Sequence, residues 1–233
     1  MENSHNFFYH LQIAKCGGTY LNNMVVNPIS KILEDNNIKF INGEQHLGWQ
    51  EIDNVYTLSS LRDPVKRTVS HYAFHKNNEL SQSPLKNVYD FLKWVENYKD
   101  FISNYQIKNF LYNKKNLNSN TFNPENDKID LDFLIISINK EIAIKRIKKI
   151  NILLKDDQLN YNTCNKIFNK ILLDFNIKSN LSIDFNKNHD HNITKNSSII
   201  YQNLSKKTIQ YLYEMNNLDS EIYFSDSIYY DVK

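Results

Sequence analysis

Short, densely apolar runs alternate along this chain with longer segments whose apolar residues recur at helical spacing. Asn6 to Ile13, with Phe7-Phe8-Tyr9-His10-Leu11 at its centre, reads as a strand buried on both faces, ending at the Gly17-Gly18 pair. Thr19 to Val26 follows as a short helix expected to stop before Pro28, because a residue preceding proline avoids the α region. Ile29 to Leu33 reads as a further helical turn, and Ile38-Lys39-Phe40-Ile41 as a second strand closed by the turn pair Asn42-Gly43. A loop carrying His46 and Trp49 leads into a third strand, Val55 to Leu61.

Asp63-Pro64 marks a helix start: the carboxylate can cap free N–H groups, and proline at the first helical position loses no bond. Val65, Val69 and Tyr72 give that helix an apolar stripe to about Lys76. Ser83-Pro84 opens another, with Leu85, Val88, Leu92, Val95 and Tyr98 at helical spacing. Asn109 to Lys128 is polar and reads as a long surface loop. Asp132 to Ser137 is expected as the fourth strand, followed by a basic helix from Lys140 to Lys149. A helix over Tyr161 to Phe175, a loose stretch from Asn176 to Asn196, and a helical end capped by Ser205 complete the chain. Strands alternating with helices, without a repeat or an evident linker, predict a single α/β domain over residues 1–233. Its central parallel sheet would be covered on both faces, giving three layers.

A net charge of +2 on 233 residues gives no global field for nucleic acid, so any anion site must be local. Asparagine, isoleucine and lysine are all abundant, a bias that weakens composition as a guide. Cys16 and Cys164 lack the spacing of a metal site or a disulfide framework. His189-Asp190-His191 lacks a third ligand, and no metal is expected. With no apolar run of about 20 residues and no basic-then-apolar leader, the expectation is a cytoplasmic protein without a membrane span.

Two strand-turn-helix segments carry the chemistry. In Ile13-Ala14-Lys15-Cys16-Gly17-Gly18-Thr19 the glycines let the backbone fold tightly, and the following helix presents its positive end. Gly17, Gly18, Thr19 and Tyr20 can donate backbone bonds to a phosphate, Lys15 adds a charge and Thr19 a hydroxyl. In Leu61-Arg62-Asp63-Pro64 the guanidinium of Arg62 can take two phosphate oxygens, and Ser70 adds a hydroxyl from the helix. The alternative is that Arg62 pairs with a nearby carboxylate. A Walker loop is absent and no obvious acidic residue follows the third strand to hold magnesium, which disfavours metal-dependent phosphoryl transfer from ATP.

These two segments resemble the nucleotide-binding motifs of carbohydrate sulfotransferases that use 3′-phosphoadenosine 5′-phosphosulfate (PAPS), the heparan sulfate uronyl 2-O-sulfotransferases among them. The family's first loop reads Ile-Pro-Lys-Thr-Gly-Gly-Thr, with Ala14 and Cys16 the departures here; Cys16 removes one hydroxyl. Its second motif, Leu-Arg-Asp-Pro-x-x-Arg-x-x-Ser-x-Tyr, is matched by Leu61 through Tyr72. Asp132-Phe133-Leu134 and Asn217 to Tyr223 are fainter echoes, and Ser137-Ile138-Asn139-Lys140 departs from the family's Thr-Glu.

The resemblance implies a P-loop NTPase-like sulfotransferase fold, PAPS as donor with 3′-phosphoadenosine 5′-phosphate as product, and a glycan hydroxyl as acceptor. It implies that Lys15, Cys16, Gly17, Gly18, Thr19 and Tyr20 surround the 5′-phosphosulfate, and that Arg62 and Ser70 hold the 3′-phosphate. Lys15 would neutralise the leaving oxygen. His46, between the motifs, would be the base that takes the acceptor proton, with Glu44 in reserve. Lys195, and the aromatic faces of Trp49, Tyr72 and Phe74, are further candidates for the nucleotide or a sugar. The basic helix with Lys145, Arg146, Lys148 and Lys149 suits an acidic glycan or simply solvent. The alternatives are a non-catalytic nucleotide-binding module and a small-molecule kinase.

Overall fold

The structure is a computed structural model that describes residues 5–42, 48–79, 88–112, 122–123, 128–129, 133, 136–178 and 197–230. Four strands form a parallel sheet: β1 (Phe7–Leu11), β2 (Lys39–Asn42), β3 (Val55–Leu61) and β4 (Ile152–Lys155), in the order β2-β1-β3-β4. β1 pairs on both sides, Phe8 lying against Phe40 and Tyr56 and His10 against Asn42 and Leu58. β3 pairs in turn with β4, from Leu58↔Ile152 to Leu61↔Lys155.

Side chains alternate between the two faces of this sheet, and each face is covered by helices. Phe8, Tyr56, Leu58, Ile152 and Leu154 pack against α1 (Gly18–Leu21), a π-helical segment (Asn22–Val26) and α2 (Asn27–Asp35). The helix Tyr161–Asp174 covers the same face through Cys164, Ile167, Phe168 and Ile171. Tyr9, Leu11, Leu61 and Leu153 face the opposite way, into the larger core under α3 (Pro64–Glu79), α4 (Val88–Asn97), α5 (Lys99–Ile102) and α6 (Tyr105–Leu111). That core is completed by α7 (Lys140–Ile147) and by the C-terminal helices α9 (Ser197–Gln202), α10 (Lys206–Met215) and α11 (Asn217–Tyr223), so that Tyr161–Asp174 is α8. A two-residue antiparallel ladder joins Phe122–Asn123 to Lys128–Ile129. The architecture is α/β with a central four-stranded parallel sheet flanked by helices. Among the described residues no helix is long and apolar enough to cross a membrane.

Three expectations from the sequence are corrected. The fourth strand is not Asp132 to Ser137: Ile136 and Ser137 are not in a strand, Phe133 packs its ring on Phe101, Tyr105 and Tyr112, and Asp132, Leu134 and Ile135 lie outside the described residues. Ile152–Lys155 takes that place in the sheet. Pro28 does not end the first helix. The chain widens into a π turn, with Asn27 N–H donating to Asn22 O, and continues helically to Asp35. The wider turn makes room for a ring that would otherwise strike the preceding turn's carbonyl, and it asks no N–H of Pro28. Asn109 is not in a surface loop but in α6, and is buried.

Candidate functional site

Because β1 and β3 are adjacent and parallel, the turns that follow them leave the sheet at the same edge. The order β2-β1-β3-β4 also reverses between β1 and β3, since the chain moves outward to β2 and then back past β1. Open α/β sheets hold their ligands at such a switch point, beyond the carboxyl ends of the strands. Lys15 and Arg62 both stand there. The guanidinium of Arg62 donates through Nη1 to the carbonyl of Lys15 at 3.2 Å, so the two turns touch.

The first turn is stitched to β3 by hydroxyls. Ser59 Oγ donates to Leu11 O at 2.7 Å and Ser60 Oγ to Cys16 O at 2.5 Å. Lys15 adopts φ 66° and Gly17 φ 84°, two left-handed residues that fold the chain back into α1. Only glycine takes that conformation without strain, so Lys15 is held at a cost. Gly17 and Gly18 are also packing sites: a Cβ on Gly17 would strike Leu159, and one on Gly18 would meet Gln12 Cγ at 2.7 Å. Gly17 is the N-cap of α1 and has no side chain with which to cap it. By helix geometry the N–H groups of Gly18, Thr19 and Tyr20 have no acceptor within the helix.

The second turn is held by one amide. Gln106 Oε1 accepts from Arg62 N at 2.9 Å and Gln106 Nε2 donates to Arg62 O at 2.8 Å, extending the sheet ladder one residue past β3. The same Oε1 accepts from Cys16 Sγ at 3.2 Å, which links both turns to α6. Asp63 caps α3 through Lys66 N at 2.9 Å, as its position before Pro64 predicts.

Electrostatically the edge is crowded with cations. Lys15 Nζ sits 3.8 Å from the centre of the Phe74 ring. Burial, then the charges of Arg62 and Arg67, push its ammonium pKa down to about 8. Arg67, the second arginine of the Leu61–Tyr72 motif, is fully buried, and burial likewise lowers its pKa. It stacks on Tyr105 at 3.8 Å, shares a hydrogen bond with His71 Nδ1 and donates to Ile102 O at 3.4 Å, while its Nε has no partner. Asp156, just past β4, places a carboxylate oxygen 3.3 Å from Arg62 Nε, and Asp219 acts on Arg67.

The structure thus brings together Lys15, Cys16, Gly17, Gly18, Thr19, Tyr20 and Arg62 around one sheet edge. Thr19 is exposed there, but Cys16 is buried, with burial pushing its thiol up to about 12, so it contributes packing, its backbone and the thiol hydrogen bond to Gln106. Ser70 is buried in α3, 2% exposed. Trp49 and Tyr72 belong to the core rather than to an open stacking face, and Phe74 lies under Lys15. Arg146 does not point freely to solvent. It caps the end of α6 by donating to Phe110 O and Leu111 O at 2.9 and 3.1 Å, and pairs with Glu51. His46, Glu44, Lys195, His189 and His191 lie outside the described residues. Sequence reasoning did not single out Gln106 or Asp156. Asp156 had one signal, the Lys155-Asp156-Asp157 step after a short apolar run, and Gln106 had none. Among the described residues no group of three or more His, Cys, Asp or Glu is placed to hold a metal. No family model, no curated protein and no solved structure matches this chain.

Proposed function

We propose that the protein is a sulfotransferase that moves a sulfuryl group from PAPS to a hydroxyl of a sugar-containing acceptor. The observation that carries this reading is the contact between the two turns: Arg62 Nη1 on the carbonyl of Lys15, at the switch point of a parallel sheet. The motif resemblance assigns the two turns to opposite ends of one doubly phosphorylated adenosine, and their adjacency is what such a ligand needs. The finer fold assignment, a P-loop NTPase-like sulfotransferase fold, belongs to the same proposal.

In this reading the first N–H groups of α1, those of Gly18, Thr19 and Tyr20, receive the 5′-phosphate, and the exposed Thr19 hydroxyl adds a donor. Lys15 stands at the bridging oxygen. Sulfuryl transfer breaks the S–O bond to the 5′-phosphate as the acceptor oxygen closes on sulfur, and negative charge grows on the leaving phosphate. An ammonium held over an aromatic ring, part-desolvated and next to two guanidinium groups, is poorly satisfied when the site is empty. The growing charge gives it a partner, which is the differential interaction catalysis requires. Arg62 takes the 3′-phosphate, with Gln106 fixing its backbone. Ser70 is carried over from the motif alone, and so is His46, with Glu44 in reserve, as the base for the acceptor proton.

The test is conversion of radiolabelled PAPS with a panel of glycans. Sulfate incorporation without magnesium is expected, with a loss of about 100-fold or more for Lys15→Ala, the scale of removing one charge-stabilising group. Normal PAPS binding with no transfer to any acceptor would favour the non-catalytic nucleotide-binding module instead.

A further inference from the structure

Arg62 already holds an anion, and that anion belongs to the chain. We propose that Asp156 occupies the phosphate subsite of Arg62 in the empty protein and thereby sets which nucleotides the site accepts; the inference rests on the nucleotide reading above. Leu61 lies in register with Lys155, so Arg62 and Asp156 leave neighbouring strands side by side. Asp156 Oδ2 lies 3.3 Å from Arg62 Nε, and Asp156 Oδ1 accepts a hydrogen bond from Tyr223 Oη at 3.0 Å. The carboxylate is therefore aimed from two sides, by β4 and by α11. The guanidinium is held between this carboxylate and the carbonyl of Lys15.

Arg62 meets the carboxylate through Nε as an ion pair without hydrogen-bond geometry, and a guanidinium that attracts a carboxylate also attracts a phosphate. The two side chains are 28% and 19% exposed, so solvent screens the pair less than a surface ion pair. Burial nonetheless raises the Asp156 carboxyl pKa, a penalty that outweighs the attraction of Arg62 and the Tyr223 bond. The carboxylate is seated but costly to hold, which makes it replaceable. A phosphate dianion brings more charge and three oxygens to Arg62 and can displace it. A ribose hydroxyl cannot; it would instead donate to Asp156. Dinucleotide sites divide the same labour, a carboxylate for a ribose hydroxyl and an arginine for a phosphate. Asp156 would thus set the balance between nucleotides that carry the second phosphate and those that do not.

The experiment is calorimetric titration of wild type, Asp156→Asn and Asp156→Glu with adenosine 3′,5′-bisphosphate, adenosine 5′-monophosphate and inorganic phosphate. Asparagine is nearly isosteric and still accepts from Tyr223; Asp156→Ser is read the same way should it fail to fold. The expected result is bisphosphate binding about tenfold tighter in Asp156→Asn, the effect of about 1.4 kcal/mol. The monophosphate should not tighten, and Asp156→Glu, which keeps the charge, should show no gain. Inorganic phosphate separates this inference from the nucleotide reading. If it binds tighter to Asp156→Asn, with the gain lost in R62A/D156N, while no nucleotide binds any of these proteins, Asp156 keeps its role and the nucleotide reading fails. Equal affinity of wild type and Asp156→Asn for phosphate and bisphosphate, including no binding by either, overturns the proposal.

Discussion

Lys15 is held against two preferences at once, a left-handed backbone at φ 66° and an ammonium that burial and two arginines push down to about pH 8. In the unfolded chain a lysine titrates near 10.4. Its folded pKa is depressed, so the folded state gives up the proton first. Stability therefore rises as pH climbs from about 8 to about 10.4, and below 8 the full cost of the buried charge is present. Lys15→Met, which keeps a chain over Phe74 without the charge, is expected to unfold at a higher temperature than wild type at pH 7. That advantage should shrink above pH 8 and be gone near 10.5; thermal unfolding across this range checks it. A constant difference at every pH would mean the charge is not what strains the site.

Among the elements, α6 and α11 cap one another. Asn104 Oδ1 accepts from Leu218 N and Asp219 N at 3.0 and 3.2 Å, while Asp219 accepts from Gln106 N and Ile107 N at 3.0 and 2.8 Å. This arrangement sets Gln106, and through it Arg62. Asp219 is buried, and burial raises its carboxyl pKa to about 6 against the pull of both N–H groups. A raised acid gives stability that is complete below its unfolded pKa near 3.9 and is lost as pH rises through 6. Asp219→Asn should flatten that slope. It should also cost about 1–3 kcal/mol in urea unfolding at pH 7, because its amide hydrogens cannot serve the second N–H. Gly17→Ala should destabilise by at least about 1 kcal/mol for its left-handed backbone alone. Leu159→Ala in the same chain should recover only the part due to the collision, since the φ of 84° remains.

At the scale of the whole molecule, β1, β3 and the Asp63-Pro64 start of α3 were legible because each depends on local chemistry: a dense apolar run, a glycine pair, a cap before a proline. β4 was not. Ile152-Leu153-Leu154 is only three apolar residues long, and it suffices because β3 offers it just four partners, Leu58 to Leu61. The longer run Phe133–Ile136 satisfied the same pattern, but Phe133 packs on Phe101, Tyr105 and Tyr112 and Ile136 is in no strand. Asp156 and Gln106 reach Arg62 only through strand register and helix packing, which no local signal encodes. Pro28 was misread because a π turn relieves the clash that proline usually imposes. The two turns were readable as chemistry, and their meeting at one edge followed once the strands alternated with helices.

The most direct measurement is calorimetric titration of the wild-type protein and Arg62→Ala with adenosine 3′,5′-bisphosphate, alongside ATP with magnesium. The bisphosphate is expected to bind without metal, more tightly than ATP, and to lose about 1.5–3 kcal/mol in Arg62→Ala. An unchanged dissociation constant in that variant, or binding of ATP with magnesium in place of the bisphosphate, would contradict the proposed function.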